Sequence, residues 1–370
     1  MPKTHDVSQQ TPGALAPEER EQLERLVKGI VVAQGNLFVK ELLRERGIRI
    51  GTTKADFERN LLEAIEGGRL AREDVDQWLD RVEGWGDEHT YLYNVPGELA
   101  RDPVWRDSEE IRRRIEGAGF GSFWNARTSL EFPEEMSLTG ISFADRALTL
   151  TWHQGAESWV REKDRDYRET IDGDLYEFRA YRYRAKRAVT RFVLKTGDGH
   201  PKTWAAALLV PIAIDSPEHE ELQQRVSRTL RRLVTLFDFK ALQRQPVPIA
   251  NVIKKIDQAG LAGGSGVPRL TTQSTRLLSG GAYVEFAATS IHDDYRSSGP
   301  VRAVRRSIGD PQLAQFTGSS GSLEFLKDPS NGLSRDVKVQ LYGSDKRLRI
   351  WKQLTAAEVW TILDTLRRYQ

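Results

Sequence analysis

The chain has no cysteine. Disulfides, thiolate nucleophiles and Cys-built zinc sites are therefore excluded, and the composition fits a cytoplasmic protein. Histidine is scarce: His5, His89, His153, His200, His219 and His292. No two are spaced like ligands on one helical turn, and no H-E-x-x-H occurs, so no metal site is legible and no cofactor is expected. Long apolar runs are missing as well. The longest, "WAAALLVPIAI" from Trp204 to Ile214, holds a proline and falls short of the roughly 18 residues that a membrane span needs. The opening "MPKTHDVSQQTPG" has no apolar centre, which excludes a secretory signal and predicts a disordered tail over 1–16. There is no P-loop, no G-x-S-x-G and no dinucleotide fingerprint; "GLAGGSG" lacks the Lys-Ser/Thr ending and a following helix.

Charge is present in quantity but unevenly placed. The net charge is +2, yet residues 1–102 hold 14 basic and 20 acidic side chains while 103–370 hold 41 and 33. The contrast sharpens locally. Ala156 to Glu177 carries eight acids against four bases, and the next stretch, "LYEFRAYRYRAKRAVTRFVLKTG", is basic from Arg179 onward. Segregation of this kind points to a directed surface field.

Hydrophobic periodicity predicts an α+β protein. A small helical bundle is expected over 17–120, from the stripes Leu23/Leu26/Val27/Ile30, Phe57/Leu61/Leu62/Ile65 and Val75/Trp78/Leu79/Val82. Asn36 and Thr53 are the expected caps of the second and third helices, which Gly47 and Gly67-Gly68 end. "SEEIRRRIEGAG" is read as a further short helix. From about Ser129 the period becomes two. "ALTLTWH" places Leu148, Leu150 and Trp152 on one face, with further strands around 176–184, 187–196 and 204–214. This basic, mainly antiparallel sheet domain is expected over 121–259, with a long helix at 218–245. "GLAGGSGVP" reads as a linker over 260–270. A C-terminal α+β unit follows over 271–370. There Gly343-Ser344-Asp345 forms a hairpin turn, and Thr355 with Glu358 makes a capping box on the last helix.

Between Arg179 and Lys195 stand seven cations and no acid. On a strand, Arg182, Arg184 and Lys186 take one face and Arg179, Arg187, Arg191 and Lys195 the other. A bulge or turn near 184–187 would gather them, with Tyr181 and Tyr183 stacking on the arginines. Two blander uses stand beside this one: an edge strand blunted by charge, or arginines paired with the preceding acids. On the helix at 219–245, Arg225, Arg228 and Arg232 share one face opposite the stripe Val226/Leu230/Leu233/Phe237.

"VKELLRERGIRIGTTKADFERNLLEAIEGG", Val39 to Gly68, resembles the SAP motif through Leu42-Leu43, Arg46-Gly47-Ile48, Thr53-Lys54-Ala55-Asp56-Phe57 and Leu61-Leu62. In that family a helix, an extended turn and a second helix form a small DNA-binding unit. Here the usual Gly before the Thr-Lys pair is Thr52, with Gly51 one place early. The resemblance implies phosphate contacts by Lys54 beside Arg44, Arg46 and Arg49, helped by helix and loop amides. The order of helical bundle, basic β region and later β unit is similar to the centromere protein N family of kinetochore subunits. "EGGRLAREDVDQWLDRVEGWGDEHTYLY" and "LTLTWHQG" carry that likeness, which implies a basic DNA-binding groove but transfers no residue role.

These features predict a non-catalytic adaptor that binds the duplex DNA backbone without sequence preference. Its C-terminal unit would hold a protein partner or a second copy. No membrane partner is expected. The setting would be cytoplasmic: nucleoid-associated in a prokaryote, which the arginine-rich, cysteine-free composition favours, or nuclear in a eukaryote. One alternative is a subunit of a larger assembly whose basic surface meets an acidic protein. Another is a metal-dependent nuclease, for which Asp172, Asp174 and Glu177 beside Arg179 are a loose approximation. Arg179 there cannot act as a tunable proton acceptor.

Overall fold

The computed structural model describes residues 15–197, 204–211, 220–221, 223–224, 239–259, 269–290, 293–309, 312 and 315–370. Most of the predicted tail and of the Gly-rich linker lies outside them, as does most of the helix predicted at 218–245. The chain is α+β and divides into two compact units. Unit 1 comprises the residues up to Val82, with 128–132 and 155–186; unit 2 comprises Glu83–Arg127, Pro133–Gln154 and Arg187–Gln370.

Unit 1 is built on four short helices: α1 (Pro17–Leu26), α2 (Asn36–Glu45), α3 (Lys54–Glu66) and α4 (Arg72–Val82). Each has one apolar stripe, and the stripes meet in a core of Leu23, Leu26, Phe38, Leu42, Phe57, Leu61, Trp78 and their neighbours. Helices of this length are marginal alone, so the shared core supplies their stability, about 1.5–3 kcal/mol for each large side chain fully buried. Thr53 caps α3 as predicted, in a capping box with Asp56. The N-cap of α2 is Gly35, one residue before the predicted Asn36, which is itself the first helical residue. Unit 1 also carries the two-stranded sheet of β4 (Tyr167–Ile171) and β5 (Asp174–Phe178).

Unit 2 is built on a sheet of ten strands. Its members are β1 (Gly86–Asn94), β2 (Ser137–Ala144), β3 (Ala147–Arg161), β6 (Tyr181–Lys195), β7 (Ala205–Pro211), β8 (Leu270–Ser279), β9 (Ala282–Ala287), β10 (Thr317–Phe325), β11 (Val337–Tyr342) and β12 (Arg347–Gln353). β3 and β6 contribute their 147–154 and 187–195 parts to this unit. The order is β2-β3-β6-β7-β1-β12-β11-β10-β8-β9. β1 pairs antiparallel with both β7 and β12.

Two cores flank the sheet. Leu148, Leu150, Trp152, Phe192, Leu208 and Val210 pack with Ile111 and Ile115 of α6 (Ser108–Gly117) and Ala100 of α5 (Gly97–Arg101). Leu209, Leu323, Val339 and Ile350 pack with α8 (Ile249–Gln258) and α10 (Ala356–Arg367), the latter capped by the predicted Thr355–Glu358 box. A short helix, α7 (Phe239–Gln243), precedes α8. A further helix, α9 (Gly299–Ile308), follows β9.

The sequence expectations differ from this architecture in three places. The helical bundle stops at Val82, and 83–120 belongs to unit 2, where β1 runs between β7 and β12. Strands from both sides of 260–268 join one sheet, so 271–370 is no separate unit. And β6 is one strand from Tyr181 to Lys195 whose Arg191–Lys195 part pairs with β7, so this last part is not the edge strand that the charge pattern had suggested.

Candidate functional site

The helix–extended–helix segment of unit 1 holds the first group of predicted cations. Gly47, at φ 60, turns the chain out of α2. Arg49 and Ile50 then lead, exposed and without regular secondary structure, to α3. The register is locked from beneath: Asn60 Nδ2 donates to the Arg49 carbonyl at 2.8 Å. Gly51 is required where it stands, because a Cβ there would lie 2.1 Å from Cβ of Asp56.

Arg44 and Arg49 are exposed and have no ion-pair partner among the described residues. Lys54, also exposed, donates to the Gln34 carbonyl at 3.3 Å. Arg46 is partly committed, its guanidinium 2.9 Å from Asp74. The loop amides behave differently from expectation. The Asp56 carboxylate accepts from the Thr53 and Thr52 amides at 3.0 and 3.2 Å. Those bonds, led by the Thr53 amide, hold its pKa well below the usual carboxylate range. An internal anion thus occupies the start of α3, and the positive field of this segment comes from its side chains.

The basic stretch divides. Arg179 is exposed after β5. Tyr181 is exposed and does carry a stacked guanidinium, but that of Arg161, 5.3 Å from its ring centre; Arg161 is in turn paired with Asp166. The side chains of Arg182, Tyr183, Arg184 and Lys186 lie outside the described part of β6, and Arg225, Arg228 and Arg232 lie outside the described residues altogether.

The remaining three cations are used inside unit 2. The Arg187 side chain is 2% exposed and forks onto Glu83, with Nε and Nη2 at 2.8 and 2.6 Å from its two oxygens. Arg191 is buried, donates to the Glu83 carbonyl (2.9 Å) and Thr151 Oγ1 (3.1 Å), and lies over the Trp85 ring. Lys195 reaches Asp364 at 2.8 Å and lies over Trp360. Arg187 and Arg191 therefore cannot form the surface predicted for them. Arg191 lies where β6 pairs with β7, the Arg187 side chain is buried on Glu83, and a buried guanidinium needs a carboxylate and acceptors close by. His153 belongs to the same cluster. Burial first, then the charges of Arg187 and Arg191, push its pKa down to about 2, so it is neutral; Nδ1 lies 2.6 Å from Thr139 Oγ1. Fully buried Glu88 has its pKa raised, chiefly by loss of water.

Two groups were not singled out from the sequence. On one face of β11 and β12, Lys338, Gln340 and Tyr342 lie beside Trp351, Arg349 and Arg347. The Arg349 guanidinium is 3.6 Å from the centre of the Trp351 ring, and Lys338 is 5.6 Å from it on the neighbouring strand. Alternation of basic and aromatic residues in "KRLRIWKQ" was the available signal. The second group is on α9, where Arg302, Arg305 and Arg306 line a cleft of about 420 Å³ with Gly299. The acids weighed for a nuclease, Asp172, Asp174 and Glu177, are all exposed on the β4–β5 hairpin. Among the described residues no group of three His, Asp or Glu side chains is placed to hold a metal. Nor is any described helix long and apolar enough to cross a membrane.

No family model, no curated protein and no solved structure matches this chain.

Proposed function

We propose that this protein is a non-catalytic adaptor that binds the phosphate backbone of duplex DNA through the α2–α3 segment of unit 1. The observation that carries the reading is the exposed set Arg44, Arg49 and Lys54 around a turn whose backbone is locked by Asn60 and Asp56. Long cations on a fixed turn meet phosphates in register without reading bases. The apolar stripes of α2 and α3 are spent on the core, and the SAP resemblance implies the same use. Arg179 adds a further exposed cation. Such a protein would work in the cytoplasm, at the nucleoid of a prokaryotic cell or in the nucleus of a eukaryotic one.

Salt dependence tests this directly. Three phosphate contacts give a slope of log affinity against log salt of roughly −3 on duplex DNA. Changing Arg44, Arg49 and Lys54 together to Ala should flatten the slope by about 2–3 and weaken binding on every sequence alike. Absence of binding at low salt, or an unchanged slope in the folded triple variant, removes this segment from any DNA interface.

A second reading, a subunit within a protein assembly, is favoured by a separate observation: the β4–β5 hairpin is exposed along almost its whole length.

A further inference from the structure

The β4–β5 hairpin is an unusual object to leave in water. Its turn is well made: Asp172 and Gly173 take φ 53 and 91, the pair of left-handed residues that suits a two-residue hairpin loop. The register runs from Tyr167 opposite Phe178 to Ile171 opposite Asp174, and the Tyr167 and Phe178 rings stack at 4.7 Å. Yet the sheet has only these two strands. Every residue of β4 is exposed, as is every residue of β5 except the last. Two-stranded hairpins are marginal in water unless something packs on a face.

What the hairpin presents is apolar and acidic together. Leu175 is 69% exposed, Tyr176 47% and Ile171 38%. Around them stand Glu169, Asp172, Asp174 and Glu177, against the lone base Arg168 within Tyr167–Phe178. None of these four carboxylates has an ion-pair partner among the described residues.

The opposite character is found on α9 of the same chain. Its ten residues, "GPVRAVRRSI", contain three arginines and no acid. Arg305 is anchored, forking onto Asp257 at 2.6 and 2.8 Å. Arg302 and Arg306 are exposed one turn apart, a like-charge spacing that costs a helix stability. Neither meets a carboxylate among the described residues; Arg306 Nε lies only 3.4 Å from the Arg302 carbonyl.

We propose that the acidic, apolar tip of the β4–β5 hairpin of one copy docks on the arginine cleft of α9 in a second copy. Each surface lacks what the other has: carboxylates that meet no cation face Arg302 and Arg306, which meet no carboxylate among the described residues. The two surfaces are different parts of one chain, so every copy offers both a tip and a cleft, and the contact either closes into a symmetric dimer or ring or continues head-to-tail.

Sedimentation of the full-length chain without DNA, over a range of protein concentrations and at low and high salt, tests the proposal. The wild-type chain is expected to self-associate, more weakly as salt rises. A tip variant (Glu169→Lys with Asp174→Lys) and a cleft variant (Arg302→Glu with Arg306→Glu) are each expected to weaken association by roughly tenfold or more. Mixed together, they are not equivalent to two broken chains: the intact cleft of the first meets the intact tip of the second, and a 1:1 dimer forms that grows no further. A wild-type chain that stays monomeric throughout overturns the proposal, as does assembly that persists unchanged in both charge variants.

Discussion

Arg187 is a cation in a place where an unpaired charge could not survive. Its guanidinium is closed on both sides of its fork by Glu83, and Arg191 reaches the carbonyl of that same residue. Removing one partner of a buried pair leaves the other charge stranded, at a cost of about 3–5 kcal/mol, whereas replacing both with apolar residues of similar size costs far less. Arg187→Ala should therefore lower the unfolding free energy of unit 2 by about that amount in denaturant titration. The pair Arg187→Met with Glu83→Leu should recover most of the loss. A loss under about 1 kcal/mol for the single change would mean that water reaches Glu83 and the pair is not structural. The contrast with Arg44 is one of position only: the same side chain, on an exposed helix face, is free for a ligand.

β1 shows how an element can be fixed by its neighbours more than by its own residues. Gly86 begins it at φ 70, and a Cβ there would lie 2.2 Å from the Lys352 carbonyl of β12. Backbone strain of this kind costs about 1–3 kcal/mol, and the clash adds to it. Gly86→Ala should lower the melting temperature clearly. Gly117, at the end of α6 with nothing within 4 Å of a Cβ, should accept Ala without loss. Equal effects at the two sites would show that β12 yields to the added carbon. The helices differ from β1 in legibility. The Thr53 cap and the Thr355–Glu358 box are local patterns, readable within four residues and formed as read; the structure adds Asp56 as the partner that makes a box of the first. β1 was missed because Glu88, His89 and Thr90 are buried along with Leu92 and Tyr93, so no alternation of polar and apolar residues marks it. β8 was missed for a related reason, its buried positions including Thr272, Gln273 and Thr275. α8 was missed although Ile249, Val252, Ile253 and Ile256 make a plain helical stripe.

At the scale of the whole molecule, each unit has its own core, one around Phe57 and the other including Leu348. Unfolding in denaturant should then follow more than one transition. Phe57→Ala, costing about 3–5 kcal/mol, should move one of them, and Leu348→Ala, costing about 2–5 kcal/mol, another. A single transition shifted equally by both changes would mean that the two cores melt together. The sequence by itself determined the α+β class, the four N-terminal helices with their stripes, the α2–α3 turn and its exposed cations, and the final hairpin and helix. Periodicity, caps and turn residues act over a few positions, so one stretch of chain holds all the information they need. Only the tertiary structure decided which arginines of the basic stretch face inward, that β1 lies between β7 and β12, and that α9 forms an arginine-lined cleft. Burial and charge pairing depend on residues such as Glu83 and Arg187, 104 positions apart, and no local pattern records which distant carboxylate a cation will meet.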